Sequence, residues 1–162
     1  MQPSDTLTIL FRHNLWANLL LLERCAMLTD AQLATSVPGA FGSISDTLQH
    51  IVTSEQSYFS RISTGQPLRR IEGAPPLSFA EMAESLRTTG QGLIEWEARV
   101  RGDDTVEVDW EGEPRDVPKS IIFTQVINHA TEHRAQITAI LTQLGVEPPD
   151  LQGWAYFDQL NE

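Results

Sequence analysis

Two histidines lie four residues apart on the apolar face of a predicted helix, a spacing that can bind a metal ion. His129 and His133 share a stripe that recurs every three or four residues and otherwise consists of Ile122, Val126, Ile137, Ile140 and Leu144. Cβ atoms four residues apart on a helix are about 5–6 Å from each other, so both rings can reach one metal ion at about 2.0–2.1 Å. Buried ring nitrogens without a partner would cost about 1–3 kcal/mol each. The pair therefore predicts metal ligation rather than a purely structural role.

A two-histidine site needs a third ligand, and the residues alone leave that ligand open. Glu55 lies on the apolar stripe of another predicted helix, where a carboxylate is costly unless it is paired or bound to a metal. It could therefore be a ligand, or a partner that holds a histidine tautomer. His50 lies off the centre of the same stripe, and His13 lies off the stripe of the first helix, where a position at the rim is expected.

The residues present exclude two other kinds of metal site and disfavour a third, a calcium site. The zinc-protease motif needs glutamate directly after its first histidine, and Ala130 stands there. Cys25 is the only cysteine, which excludes an internal disulfide and a cysteine-based zinc ribbon; we expect it to be a small buried hydrophobe. The acidic segment 103–116 lacks the EF-hand spacing and predicts a solvated surface.

Four long helices are predicted to position these residues. Their apolar residues recur at intervals of three and four, and the expected bounds are Ser4 to Leu28, Phe41 to Gly65, Ser78 to Gly102 and Pro118 to Gly145. Ser43 and Ser78 are each followed three residues later by an acid, as helix N-caps often are. Alternation over 105–110 with Gly112 predicts a small β-hairpin, and the segment 65–76, which includes Arg69 and Arg70, predicts a crossover loop. We therefore expect an all-α fold: a four-helix bundle with a long crossover loop and a small β-hairpin before the last helix, in one domain over 1–162.

The acidic composition of the chain argues against two classes of binding partner. The 162 residues carry 22 acids against 11 bases, a net charge of −11, which argues against nucleic-acid binding and against docking on an anionic membrane. No apolar run reaches the roughly 18 residues of a membrane span, and the polar start over residues 1–5 does not resemble a signal peptide. A cytoplasmic protein is expected.

The segments around the candidate ligands resemble those of DinB-like proteins, the DinB/YfiT-like family. The matching segments are Gly42–His50 followed by Glu55, Asn128–Gln136 followed by Leu144–Pro149, and Asn14–Asn18 in the first helix. They occur in the family's order over nearly the whole chain. Ala135 stands where the family often has glycine, and Gln152 where it has aspartate.

The resemblance implies a four-helix bundle with a three-histidine site for one divalent metal ion, Zn, Ni or Fe. It implies that the ligands are His50, His129 and His133. The residues then expected behind the ligands or beside the pocket are Glu55, Trp16 and Asn18. For Trp16 and Trp154, packing in the core or against the tail is the first expectation, and a wall of a pocket above the metal is the alternative. Three imidazoles leave at least one coordination position open, as catalytic sites do.

Relatives in this family include thiol-dependent transferases and isomerases and proteins described as hydrolases. The resemblance therefore implies a metal-dependent enzyme that acts on a small molecule by thiol-dependent transfer or hydrolysis, with a low-molecular-weight thiol as co-substrate in the first case. The alternatives are a non-catalytic protein in which the metal clips helices together, and a metal-storage or sensing protein. Family members often form homodimers, so a homodimer is also expected.

Two polar residues beside the histidines have more than one expected role. Arg134 follows His133 and points off the apolar stripe, so it could pair with an acid of a neighbouring helix or bind an anionic substrate. Gln136 could form hydrogen bonds within the bundle or across an interface.

Overall fold

The protein is described by a computed structural model over residues 5–68 and 73–161, with the backbone only at Trp110. This part of the chain contains six helices and a two-stranded sheet, and it is mostly helical, as predicted. The elements are α1 Thr6–Cys25, α2 Asp30–Leu33, α3 Ile44–Thr64, α4 Phe79–Glu97, β1 Thr105–Trp110, β2 Glu113–Pro118, α5 Lys119–Gln143 and α6 Gly153–Gln159. Ser4, Arg69 and Arg70, named in the sequence analysis, lie outside the described residues.

The four long helices pack side by side. α1 contacts α4 and α5, and α3 contacts the same two helices. Their buried apolar side chains form two clusters at different heights along the helices. One cluster includes Leu21, Ile44, Leu86 and Ile137, and the other includes Phe11, Ile62, Leu93 and Phe123. Burial of these side chains is the main favourable contribution to folding.

A buried polar layer separates the two apolar clusters. Its members are Asn14, Asn18, Glu55, Thr89 and Arg134, and they come from all four long helices. Burying such groups is costly unless they form hydrogen bonds. In the described part of the chain, every buried side-chain nitrogen and oxygen has a hydrogen-bond partner.

Local sequence explains where most of the long helices begin. Ser43 and Asp46 form the predicted capping box of α3, and Ser78 and Glu81 form that of α4. Pro118, predicted inside the last helix, is instead the last residue of β2 and the N-cap of α5. α4 ends at Glu97, earlier than the predicted Gly102. The backbone N–H groups of Arg99 and Val100 both donate to the carbonyl of Trp96, and the following turn is closed by the carboxylate of Asp104, which accepts from the backbone N–H of Arg101 at 3.0 Å.

The predicted hairpin is confirmed. β1 and β2 pair antiparallel, with Thr105 opposite Pro118 and Trp110 opposite Glu113. Positive φ angles at Glu111 (56°) and Gly112 (87°) make the two-residue turn that fits the twist of such a hairpin. Within the described residues, no helix combines the length and the apolar character needed to cross a lipid bilayer.

Candidate metal centre

The structure brings together the three histidines that the resemblance implied as ligands. His50 is on α3, and His129 and His133 are one turn apart on α5, the helix that packs beside α3. Their candidate donor atoms all lie within 4.8 Å of one another. The Nε2 atoms of His50 and His129 are 2.9 Å apart. A group of three imidazoles this close could hold a metal ion.

The helical wheel explains why His50 could not be assigned from the residues alone. It lies off the centre of the apolar stripe of α3. A residue at the flank of the buried face points toward a neighbouring helix rather than into the centre of the core. Here that neighbour is α5, so the flank position places the ring beside those of His129 and His133, with centroid distances of 4.7 and 4.8 Å.

Burial favours the neutral form of two of these rings. It lowers the pKa of His129 to about 4, and repulsion from His133 and His50 acts in the same direction. Burial also lowers the pKa of His50, with a smaller contribution from His133. At neutral pH both rings are therefore uncharged, which is the form of imidazole that binds metal ions.

Gln136 orients His133. Its side-chain Oε1 accepts from the backbone N–H of Phe41 at 3.1 Å, which identifies that atom as the oxygen. The Nδ1 of His133 lies 3.0 Å from the same oxygen and must donate to it. Nε2 is then the ring nitrogen of His133 that is available to a metal. Such outer hydrogen bonds fix the tautomer and the ring orientation of metal-binding histidines.

Two aromatic side chains that the sequence analysis did not assign to the site flank the histidines. Phe41 stacks on His50 with ring centroids 4.0 Å apart and an interplanar angle of 16°, and its own side chain is 53% exposed. Tyr58 meets His129 edge-on at 5.7 Å. Phe41 comes from the loop before α3, where no periodicity exists to signal which residues will face the site.

The structure corrects the role expected of Glu55. Its carboxylate accepts from Asn14 at 3.1 Å, from Asn18 at 3.2 Å and from Thr89, and among the described residues no histidine donates to it. It therefore does not hold a histidine tautomer. The reason is helical geometry: five residues after His50, the side chain has turned away from α5 toward α1 and α4. Asn18 likewise belongs to the buried polar layer and not to the histidine site.

Arg134 completes the buried polar layer. Its Nη1 donates to Oδ1 of Asn14 at 2.7 Å and of Asn18 at 2.6 Å, and its Nη2 donates to Oγ1 of Thr131 at 3.0 Å. Two amide side chains thus connect the guanidinium to the carboxylate of Glu55. Burial raises the pKa of Glu55 to about 7, against its hydrogen bonds and the charge of Arg134. Burial lowers the pKa of Arg134 to about 10.

Of the two roles expected for Trp16, the structure shows packing against the last helix and not a wall of the metal pocket, and Trp154 forms no such wall either. Trp16 donates to Oε1 of Gln159 at 3.1 Å and packs against Tyr156 and His13, between α1 and α6. Trp154 is 79% exposed on α6. A single helix of seven residues at the end of the chain gave no periodic signal strong enough to predict this contact. His13 bonds to the carbonyl of Leu151 at 2.8 Å, apart from the other histidines.

Comparisons with other proteins identify the family and the fold. The model of the DinB family matches residues 1–160. The fold is similar to the crystal structure of a DinB-like protein from Bacillus cereus ATCC 10987, with a TM-score of 0.60 and 24% identity over 85% of this chain and 90% of that chain. At this identity the likeness shows the fold alone. No curated protein matches the chain. Because the family match covers nearly its whole length, the chain belongs to the DinB family.

Proposed function

We propose that this protein binds one divalent metal ion through His50, His129 and His133 and is a metal-dependent enzyme that acts on a small molecule. The observation that carries the proposal is the convergence of the three imidazoles, with donor atoms within 4.8 Å of one another. Membership of the DinB family supports it. The proposed reaction is thiol-dependent transfer or hydrolysis.

The residues present fit such an ion. Nitrogen ligands suit Zn, Ni and Fe, and the burial that lowers the pKa of His129 keeps a lone pair available there. When bound, the ion would supply a Lewis acid that activates a thiol or a water molecule. Gln136 would hold the ring of His133, and the rings of Phe41 and Tyr58 would exclude water from the flanks of the site.

We also propose that α1, α3, α4 and α5 form the family's four-helix bundle.

A non-catalytic metal-binding protein is the second candidate. The observation that favours it is the origin of the ligands, one from α3 and two from α5. A metal ion bound to all three would link two helices whatever its chemistry. Metal storage or sensing would use the same three ligands.

A homodimer also stays a prediction. Light scattering on the purified protein tests it.

Elemental analysis of protein made without a histidine tag tests the site. We expect about one divalent ion per chain in the parent and little in His50→Ala or His129→Ala. His13→Ala is the matched control because it removes the fourth histidine, which lies outside the cluster. A parent that stays metal-free after incubation with Zn, Ni and Fe salts would refute the proposal. Metal retention by His50→Ala alone would remove His50 from the ligand set.

Turnover distinguishes the two candidates. The metal-loaded parent would be assayed with a panel of low-molecular-weight thiols and small electrophiles, and with small esters and amides. Catalysis that is lost in His129→Ala supports the enzyme. Absence of turnover, together with unfolding when the metal is removed, supports the structural role.

A further inference from the structure

A cavity lies beside α5, away from the three clustered histidines and against the segment that leads to α6. Its volume is about 470 Å³, and its walls are His13, Thr131, Arg134, Ala135, Thr138 and the segment 148–152. None of the three clustered histidines lines it. Thr131, Arg134 and Thr138 follow one another at intervals of three and four, so they form a stripe of α5 separate from that of His129, His133 and Gln136.

Arg134 offers hydrogen-bond donors to this cavity. Its hydrogen bonds are made by Nη1 and Nη2, and within residues 5–68 and 73–161 the Nε–H has no partner. No fully buried side-chain nitrogen in that part of the chain lacks a partner, so Nε is not completely enclosed, and Arg134, although buried as a whole, lines the cavity. A guanidinium presents its N–H groups in a planar fork that matches the two oxygens of a carboxylate.

The positive charge of Arg134 is only indirectly compensated. Glu55 is reached through the side-chain amides of Asn14 and Asn18, and among the described residues Arg134 makes no direct ion pair. Asp150 also lines the cavity, but it is exposed and its Oδ1 accepts from the backbone N–H of Gln152 at 2.9 Å. Arg134 therefore lies in the buried wall of the cavity, and the carboxylate of Asp150 lies at its solvent-exposed side.

The remaining walls are largely apolar. Ala135, Pro148, Pro149 and Leu151 are apolar, and His13, Thr138 and Gln152 complete the lining. Small-molecule sites commonly combine such walls with a few polar groups that fix the orientation of the ligand. We propose that this cavity binds a small organic carboxylate, with its carboxylate on Arg134 and the hydroxyl of Thr131 and its apolar body against the two prolines. This proposal does not rest on the metal site.

A pair of ligands of the same shape tests the charge requirement. The protein as purified, labelled with ¹⁵N, would be titrated with phenylacetate and with phenylacetamide while amide shifts are followed by NMR. We expect phenylacetate to saturate with a Kd on the order of 1 mM, to shift the amides of residues 131–138, and to bind at least tenfold more tightly than the amide. Equal binding of the two, or failure to saturate, would overturn the proposal, as would displacement by equimolar phosphate.

Substitutions locate the bound carboxylate. Ala135→Phe fills the cavity without removing a member of the buried polar layer and should weaken phenylacetate binding at least tenfold. Ala139→Phe, at an exposed position one turn away that does not line the cavity, should bind like the parent. His129→Ala should also bind like the parent; loss there would place the carboxylate at the histidines and contradict the proposal. Unchanged binding by Ala135→Phe would refute it directly.

Discussion

Glu55 shows how burial and hydrogen bonding compete at a single residue. Three side chains donate to its carboxylate, and these hydrogen bonds favour the ionised form. Burial favours the protonated form and is the larger effect, so the pKa rises from its ordinary 4.5 to about 7. Between these two pH values the folded protein retains a proton that the unfolded chain has released.

The sign of the resulting pH dependence follows from this difference. Because the folded state binds more protons than the unfolded state, the free energy of unfolding falls as pH rises from 4.5 to 7. A pKa difference of this size corresponds to roughly 3 kcal/mol. Glu55→Gln lacks the titration, so relative to the parent it should gain stability by about that amount as pH rises through this window.

Urea unfolding of metal-free parent and Glu55→Gln at pH 4.5, 6 and 8 measures the difference. Taking the difference between the two proteins removes the contribution of the histidines, which is common to both. Glu84→Gln, at an exposed glutamate of α4, serves as control and should follow the parent. If the parent instead gained stability over Glu55→Gln with rising pH, the carboxylate would be ionised throughout and the assigned pKa direction would be wrong.

Gln136 provides a second prediction at the residue scale. Removing its side chain leaves the Nδ1–H of His133 without its acceptor and frees the ring to rotate. Loss of such an outer hydrogen bond typically weakens metal binding 10–100-fold. We expect this for Gln136→Ala in competition with a chromogenic chelator, and no change for Gln143→Ala at the exposed end of the same helix. Equal affinities would show that Gln136 does not support the site.

The residues alone predict part of the candidate site. His129 and His133 were identifiable because one helix holds both, and helical spacing is readable in sequence. His50 was identifiable only through the family resemblance, since its distance from α5 depends on how two helices pack. Phe41 was missed because a loop residue carries no periodic signal. The prediction that Glu55 holds a histidine tautomer is wrong, because the sequence indicates that this side chain is buried but not which helix it faces.

At the scale of helices, their order and most of their bounds were predictable, whereas short elements were not. Apolar periodicity over many residues gave α1, α3, α4 and α5, and capping residues gave the starts of α3 and α4. α2 and α6, with four and seven residues, are too short to repeat a periodic pattern. The packing of α6 on α1 therefore could not be foreseen.

Gly90 marks a close approach of α4 to α1. A Cβ added there would lie 2.8 Å from Cδ1 and 3.1 Å from Cβ of Leu15. The second contact cannot be relieved by rotating the leucine side chain, because its Cβ is fixed to the backbone of α1. Helix propensity alone would favour alanine over glycine by about 1 kcal/mol. Overpacking of a core typically costs about 1–3 kcal/mol.

Gly90→Ala should therefore destabilise the protein by about 1–2 kcal/mol. Chemical unfolding of both proteins under identical conditions gives the difference in free energy of unfolding. Thr88→Ala in the same helix is the control: its side chain is exposed, so only helix propensity should act, and stability should not fall. A stabilised Gly90→Ala would show that α1 and α4 can separate at low cost.

At the scale of the whole molecule, the proposed metal ion would connect helices that are distant in sequence. His50 and His129 are separated by 79 positions along the chain. A ligand that binds only the folded state adds about 2.7 kcal/mol of stability at a free concentration 100 times its Kd. The midpoint of thermal unfolding should thus rise with added metal in the parent and stay constant in His129→Ala. Equal shifts in both would indicate binding elsewhere.

The buried polar layer has a consequence for how the helices align along their axes. Apolar contacts specify this alignment less strictly than hydrogen bonds do, because the hydrophobic effect is non-directional. The layer specifies it closely, because Arg134 donates to both Asn14 and Asn18, and both of these amides donate to Glu55, so the hydrogen bonds fix α5 and α3 against the same two positions of α1. A slip of α5 by one turn would move it about 5.4 Å, and would take His129 away from His50 by a similar distance. The hydrogen bonds of the buried polar layer thus fix the axial alignment of α3 and α5, on which the convergence of the three histidines depends.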